Sequence, residues 1–451
     1  MDDVLIIGGG FAGLAAGVAL AGAGRRVRLL ERKPHLGGRA RSFRDPVTGS
    51  VVDNGQHILM GCYRATLRFL EEIGTLDRIA FQPRLRLPFL EAGGRLTSLE
   101  CPDLPAPWHV LAGVVRSDSL SRREKREVVR LGWAFETGRA TQDGFERLSV
   151  DQWLDGLGQS ESLRRDFWNL LCIAALNEDP QVAGAAMFER VLRLALFRSP
   201  ADSRLGVPRA GLSDCYAGAA RTYIEARGGQ VETGRNVTGF LIRNQVCEGV
   251  CFADGDHIET QAVLSAVPWF EFVRLLPGDL LRSEPLFTNI LCLRPAPIIS
   301  INLWFDRPVT ELEFCGLRGT TVQWLFNKGK LFGTAENCVS LVLSGAHEHV
   351  GRPKEELLET ALRDLGGLLP EVREARLVRS LVIKERFATF SPEPGVETVR
   401  PPAVTRVRSL YLAGDWTATG LPATIEGAVQ SGYCAAQEIL LVSRGLTPCL
   451  S

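Results

Sequence analysis

Six residues near the N-terminus, Gly8-Gly9-Gly10-Phe11-Ala12-Gly13, constrain the fold more than any other stretch of the chain. They contain Gly8-x-Gly10-x-x-Gly13 and lie between a short apolar run, Val4 to Ile7, and an Ala-rich segment, Ala12 to Ala23. A second apolar run, Arg26 to Leu30, follows. Strand, tight turn, helix and strand make a βαβ unit, which demands a parallel sheet covered on both faces. Within it Gly8 permits the turn, Gly10 lets the backbone approach a pyrophosphate, and Gly13 lets helix and strand pack closely. Phe11 and Ala12 open the helix, whose free N–H groups and partial positive charge favour phosphate. Glu31 ends the second strand, placed to accept hydrogen bonds from a ribose, with Arg32 beside it. Alone, the glycines are only a flexible turn. With strand, helix and acid in register, they read as a dinucleotide site.

The remaining composition narrows the function. At 451 residues the chain has room for about three domains and a large core without disulfides or metal. Its 52 basic and 52 acidic side chains cancel. That balance leaves no electrostatic footprint for nucleic acid and argues against a disordered polyelectrolyte. Eleven cysteines, from Cys62 to Cys449, form no CxxC pair, so reduced thiols in the cytoplasm are expected and a zinc site is not. Val4 to Gly24 is apolar enough to mimic a signal peptide or span. Asp2 and Asp3 precede it, however, and its glycines cluster at the front, so no membrane span is expected.

Farther along, prolines from Pro83 to Pro107 mark a loop-rich stretch, and helical patterns cover 121–135, 149–157, 162–175 and 183–197. Ser121 and Glu124 form a capping-box signature. Strand patterns follow at 230–237, 246–252, 257–264, 298–305, 322–326, 338–343 and 377–383, with a helix over 354–369. The chain closes with a strand at 410–413 and a helix from Thr424 to about Leu441. The expected architecture is α/β, with a discontinuous Rossmann-like domain (1–86, 205–290 and 405–451). Into it are inserted a mainly helical piece (87–204) and a strand-rich piece (291–404), which form the substrate domain.

Three further segments resemble the FAD-dependent amine oxidase and phytoene desaturase superfamily. Gly37-Gly38-Arg39-Ala40-Arg41-Ser42 is similar to its second glycine motif, which runs beside the pyrophosphate with Arg39 in support. Leu412-Ala-Gly414-Asp415, followed by Gly420 to Gly432, is similar to its C-terminal FAD signature. The resemblance implies that Asp415 accepts from the ribityl or phosphate-side hydroxyls. It also implies that the helix beginning near Ala423, Thr424 and Ile425 aims its N–H groups at the flavin. Val237 matches the valine that contacts the adenine. The cofactor implied is FAD.

Within that superfamily Val52-Asp53-Asn54-Gly55-Gln56-His57-Ile58, with Leu171 to Pro180, Glu385 to Gly395 and Gly414 to Gly427, resembles the bacterial hydroxysqualene dehydroxylase family. The resemblance implies that reduced FAD delivers hydride to hydroxysqualene, water leaves and squalene forms, in squalene and hopanoid biosynthesis. His57 is the candidate acid, or equally a histidine that only hydrogen-bonds cofactor or backbone. Gly55, Gln56 and His57 would lie against the flavin, with Gln56 in contact with it or with the substrate hydroxyl. Asp53 is expected to hold the segment, and Glu385 and Arg386 to form a salt bridge. Amine oxidation is disfavoured. Thr424 stands where that branch has an aromatic, and Ile301 to Phe305 lacks its lysine.

A triterpene implies an apolar tunnel, with Trp108, Trp133, Trp153, Trp168 and Phe197 as candidate lining. It also implies peripheral contact with the inner face of the cytoplasmic membrane, through 105–116 and the basic 122–130, and a reductant that the sequence does not identify. Two alternatives stand beside this reading: a carotenoid-type desaturase, and a non-catalytic isoprenoid carrier.

Overall fold

In the computed structural model, which describes residues 3–445, five parallel strands form the central sheet. Their spatial order is Gln230–Thr233, Val27–Glu31, Val4–Ile7, Val263–Ser265 and Leu410–Leu412. Strands from the beginning, middle and end of the chain therefore share one sheet. Cys449 lies outside the described residues. Alternation along the strands divides the core into two layers. Val4, Ile6 and Leu29 face the helices Phe11–Gly22, Leu212–Glu225 and Ile425–Ser443. Leu5, Ile7 and Leu30 face the antiparallel strands Val237–Arg243, Val246–Phe252 and His257–Glu259 and the short helices after them. Val4–Ile7, Val263–Ser265 and Leu410–Leu412 are buried along their whole length, as parallel strands covered on both faces are, whereas the edge strand Gln230–Thr233 buries only Val231 fully.

The second sheet has seven strands. It begins with the long strand Leu377–Phe390, followed by Pro295–Phe305, Cys338–Leu343, Trp324–Asn327 and Phe314–Leu317, and ends with the hairpin Arg86–Glu91/Arg95–Glu100. One face, with Leu325, Leu341 and Leu343, packs on the helix Lys354–Leu368. The other, with Phe89, Trp324, Phe326 and Val342, meets a helical lobe spanning 108–197. In that lobe Ser121 and Glu124 form the expected capping box, and Ser149 and Gln152 a second. Among the described residues no helix is long and apolar enough to cross a membrane.

Several elements differ from the sequence expectation. The proline-marked stretch contains the 86–100 hairpin, turned by Gly93 and Gly94 at positive φ. The expected strand 257–264 is two: His257–Glu259 stays antiparallel, and Val263–Ser265 enters the parallel sheet. The expected strand 230–237 likewise breaks at Gly234, φ 75°. Of the five candidate tunnel aromatics only Trp168 lines the cavity. Trp153 is core, donating to the Ala140 carbonyl at 2.8 Å, and Phe197 stacks on Phe135. Trp108 and Trp133 face solvent.

Candidate active site

The glycine turn after the first strand works as its spacing suggests. Gly8 adopts φ +106°, and a Cβ on Gly13 would sit 2.0 Å from the Gly8 carbonyl oxygen. The helix starting at Phe11 has Gly10 as its N-cap, with no side chain bonded into its first turn. Gly9 N–H donates to Glu31 Oε2 and Lys33 N–H to Oε1, each at 2.8 Å. These bonds fix the buried carboxylate at the end of its strand with lone pairs to spare. Arg32 pairs with Glu271 at 3.1 Å. The second glycine motif lies directly opposite. Gly37 N–H donates to the Gly9 carbonyl at 2.8 Å, and a Cβ on Gly38 (φ +59°) would lie 3.2 Å from Gly10 Cα. Tyr216, which sequence reasoning missed, supports this turn. Its hydroxyl lies 2.9 Å from the Gly37 carbonyl oxygen and 2.8 Å from that of Ala40, and its ring stacks on Phe11 at 3.7 Å.

The third motif closes the cradle from the other side. Asp415 accepts from Arg39 Nη2 at 2.5 Å, and Arg39 also donates to the Ala388 carbonyl at 2.8 Å. The fully buried Arg400 donates to the carbonyls of Asp415 and Leu421 at 2.9 Å and to Thr419 Oγ1 at 3.0 Å. One guanidinium thus organises the loop that carries Asp415. Thr424 caps the C-terminal helix, its Oγ1 accepting from Gly427 N–H at 3.1 Å. That cap gives the residue at the aromatic-cage position a structural task. A Cβ on Gly432 would lie 2.3 Å from the Ala12 carbonyl oxygen, so the C-terminal helix rests against the N-terminal one.

A single cavity of about 1310 Å³ joins these parts. It exceeds the ~300–1,000 Å³ typical of a site for one small ligand. Its lining includes Gly8, Gly10, Phe11, Ala12, Glu31, Arg32, Gly38, Arg39, Val237, Gly414, Asp415, Ala423, Thr424 and Ile425. Gly55, Gln56 and His57 line it as well; of the predicted cofactor and catalytic positions only Gly13 does not, lying beneath the turn. The cavity then continues into the helical lobe, walled by Val110, Val114, Val128, Phe167, Trp168 and Leu171.

Behind Gln56 lies an ion pair that the sequence did not announce. Lys328 Nζ is 2.5 Å from Asp53 Oδ2 and 2.8 Å from Gln56 Oε1, with both charged side chains at most 5% exposed. Asp53 Oδ1 accepts from Ser42 Oγ at 2.6 Å and Leu212 N–H at 3.0 Å. Asp53 therefore holds the segment. Because ammonium can only donate, Gln56 must turn its oxygen toward Lys328 and leave its amide NH₂ for other partners. The lysine absent from 301–305 is thus not replaced inside the cavity: Lys328 stands behind its wall. His57 is partly buried, and its Nδ1 is shielded from solvent without a hydrogen-bond partner. Desolvation lowers its pKa below the usual 6.5 and so favours the neutral ring, partly offset by the Asp53 charge. Glu385 does not pair with Arg386; it accepts from Asn54 Nδ2 at 3.3 Å, because neighbours along a strand point to opposite faces.

The cradle fits FAD. Two glycine turns meet without side chains between them, a helix start is left uncapped, and Glu31 and Asp415 offer acceptors at separate points. The comparisons agree. The sequence profile described as "Flavin containing amine oxidoreductase" matches residues 11–440. A hydroxysqualene dehydroxylase from Rhodopseudomonas palustris is 30% identical over 98% of this chain and 99% of its own. One from Sinorhizobium fredii is 29% identical over 96% and 97%. A 15-cis-phytoene desaturase from Synechococcus elongatus is 25% identical over 97% and 95%. Among solved structures, an oxidoreductase from Methanosarcina mazei superposes with a TM-score of 0.74 at 18% identity, covering 96% of this chain and all of that one. A redesigned putrescine oxidase gives 0.72 at 19%, over 98% and 99%. The chain is an FAD-dependent oxidoreductase and belongs to the flavin-containing amine oxidoreductase family.

Proposed function

We propose that this enzyme converts hydroxysqualene to squalene with loss of water, in bacterial squalene and hopanoid biosynthesis. The observation that carries the reading is the continuity of one cavity from the glycine cradle, past Gln56 and His57, into an apolar arm. Near full-length similarity to three hydroxysqualene dehydroxylases supports it. When bound and reduced, FAD supplies the hydride.

The chain's own residues do the rest. The apolar arm buries the isoprenoid chain at about 0.8 kcal/mol per CH₂ and excludes water that would trap an allylic cation. Gln56, oriented by Lys328, offers its amide N–H to the departing hydroxyl. His57 donates the proton that turns that hydroxyl into water. Burial makes its protonated form a stronger acid than an exposed imidazolium, at the cost of a small protonated fraction at neutral pH. The substrate comes from the cytoplasmic face of a membrane, and a separate donor re-reduces the flavin.

The test is an anaerobic single turnover of pre-reduced holoenzyme with detergent-dispersed hydroxysqualene. Oxidised flavin and squalene should appear together in equal amounts. Flavin that stays reduced, with no squalene formed, would overturn the assignment in favour of desaturation, the activity in the name of the Synechococcus relative.

A further inference from the structure

The cavity's apolar arm and the largest exposed tryptophans belong to the same two helices. Val110 and Val114 of the helix Trp108–Arg116, and Val128 of the helix Arg122–Glu136, line the cavity. On their outer sides Trp108 is 62% exposed, Val115 55% and Trp133 66%. Trp108 and Val115 are seven residues apart, two helical turns on one face. Arg122, Arg126, Val129 and Trp133 follow one another at spacings of four, three and four, and Arg130 lies four positions from Arg126 and three from Trp133, making a single stripe on the second helix. Gly132 lets the helices approach closely; a Cβ there would lie 3.1 Å from Leu111 Cδ2. The two helices therefore pack side by side, and each is a single layer between its exposed face and the cavity.

The charge of these outer faces is as distinctive as their apolarity. Arg116, Arg122, Arg126 and Arg130 form no ion pair with a carboxylate among the described residues, in a protein whose net charge is zero. Glu124 is engaged in the capping box, and the buried Glu127 holds Arg123. Exposed tryptophans beside unpaired arginines suit an interface where rings sit at headgroup depth and cations meet anionic lipid.

We infer that the outer faces of 108–116 and 122–136 form a docking surface for an anionic lipid bilayer, setting the thin wall of the cavity against the membrane. This assigns the surface for the membrane contact proposed above and rests on that reading; the test measures binding without substrate, so its outcome is separate from that of the reaction. Wild-type holoenzyme is sedimented with vesicles of phosphatidylglycerol and phosphatidylethanolamine, or of phosphatidylcholine alone. It should bind the anionic vesicles more tightly, and added salt should weaken that binding. A Trp108→Ser/Trp133→Ser variant should lose affinity by about tenfold or more. An Arg126→Glu/Arg130→Glu variant should lose the preference for anionic lipid. Leu291→Ser/Val378→Ser, which alters exposed apolar residues elsewhere, should bind as wild type does. Flavin absorbance shows that each variant is folded.

Failure of the wild type to bind, an undiminished tryptophan double variant, or an equal loss in the control pair would each overturn the inference. So would a dimer in lipid-free buffer that the tryptophan substitutions abolish, because the patch would then join two copies of the chain.

Discussion

Replacing Lys328 with methionine isolates what the hidden ion pair does. The substitution keeps most of the side-chain volume and removes the charge. Asp53 Oδ1 keeps its bonds from Ser42 and Leu212, but Oδ2 loses Lys328, its partner at 2.5 Å, in a site where the aspartate is only 5% exposed. Removing one partner of a buried pair costs about 3–5 kcal/mol, and the two surviving bonds place this case near the lower end, about 3 kcal/mol. Neutralising the stranded carboxylate with Asp53→Asn in the same chain should restore at least half of that loss. Gln56 should remain untethered in both variants. Urea unfolding of the holoenzyme, followed by flavin fluorescence, reads the stability. Stopped-flow single turnover reads Gln56, with kcat reduced and KM little changed. A Lys328→Met protein as stable as wild type, or a double variant no more stable than the single, would refute the argument.

Other consequences are as concrete. The acid form of His57 is the majority only below its lowered pKa, so squalene formation from pre-reduced enzyme should rise as pH falls from 8 through 6.5 and below; His57→Gln should be slow and pH-independent over that range. Gly38→Ala puts a Cβ at 3.2 Å from Gly10 Cα on a backbone at φ +59°, and FAD affinity measured by titration calorimetry should fall by about tenfold or more. Leu171→Trp narrows the apolar arm far from the cradle: kcat/KM should drop by about tenfold or more while the flavin spectrum and FAD affinity stay unchanged.

What could be read from the sequence was what rests on local chemistry. The turn at Gly8 to Gly13, the acid at Glu31 and the cap at Ser121 need only near neighbours, and short-range spacing reveals them. Lys328 was invisible because its partners, Asp53 and Gln56, are 275 and 272 positions away, and only tertiary packing brings the helix that starts at Lys328 against them. Tyr216 escaped for the same reason. The split of 257–264 into strands of two different sheets falls at the short polar run Glu259-Thr260-Gln261, which by itself does not say that the chain changes sheets. The tryptophans misled because helical spacing says which residues share a face and not whether that face turns to the cavity or to solvent. Trp133 and Val128 sit on one helix and do opposite things.

The order of strands in the parallel sheet also sets a timetable. Val4–Ile7, at its centre, is the first strand made, and it has only Val27–Glu31 to pair with until residues 230–265 exist. Leu410–Leu412 closes the edge last, and Gly414 to Ile425, the far wall of the cradle, comes after it. At about 5–20 residues per second, a nascent chain would wait tens of seconds with its glycine turn formed and no complete pocket to offer. FAD thus finds its complete site only in the finished chain. Its binding then acts as a late lock, drawing stability from cofactor concentration and fastening together segments that were synthesised farthest apart.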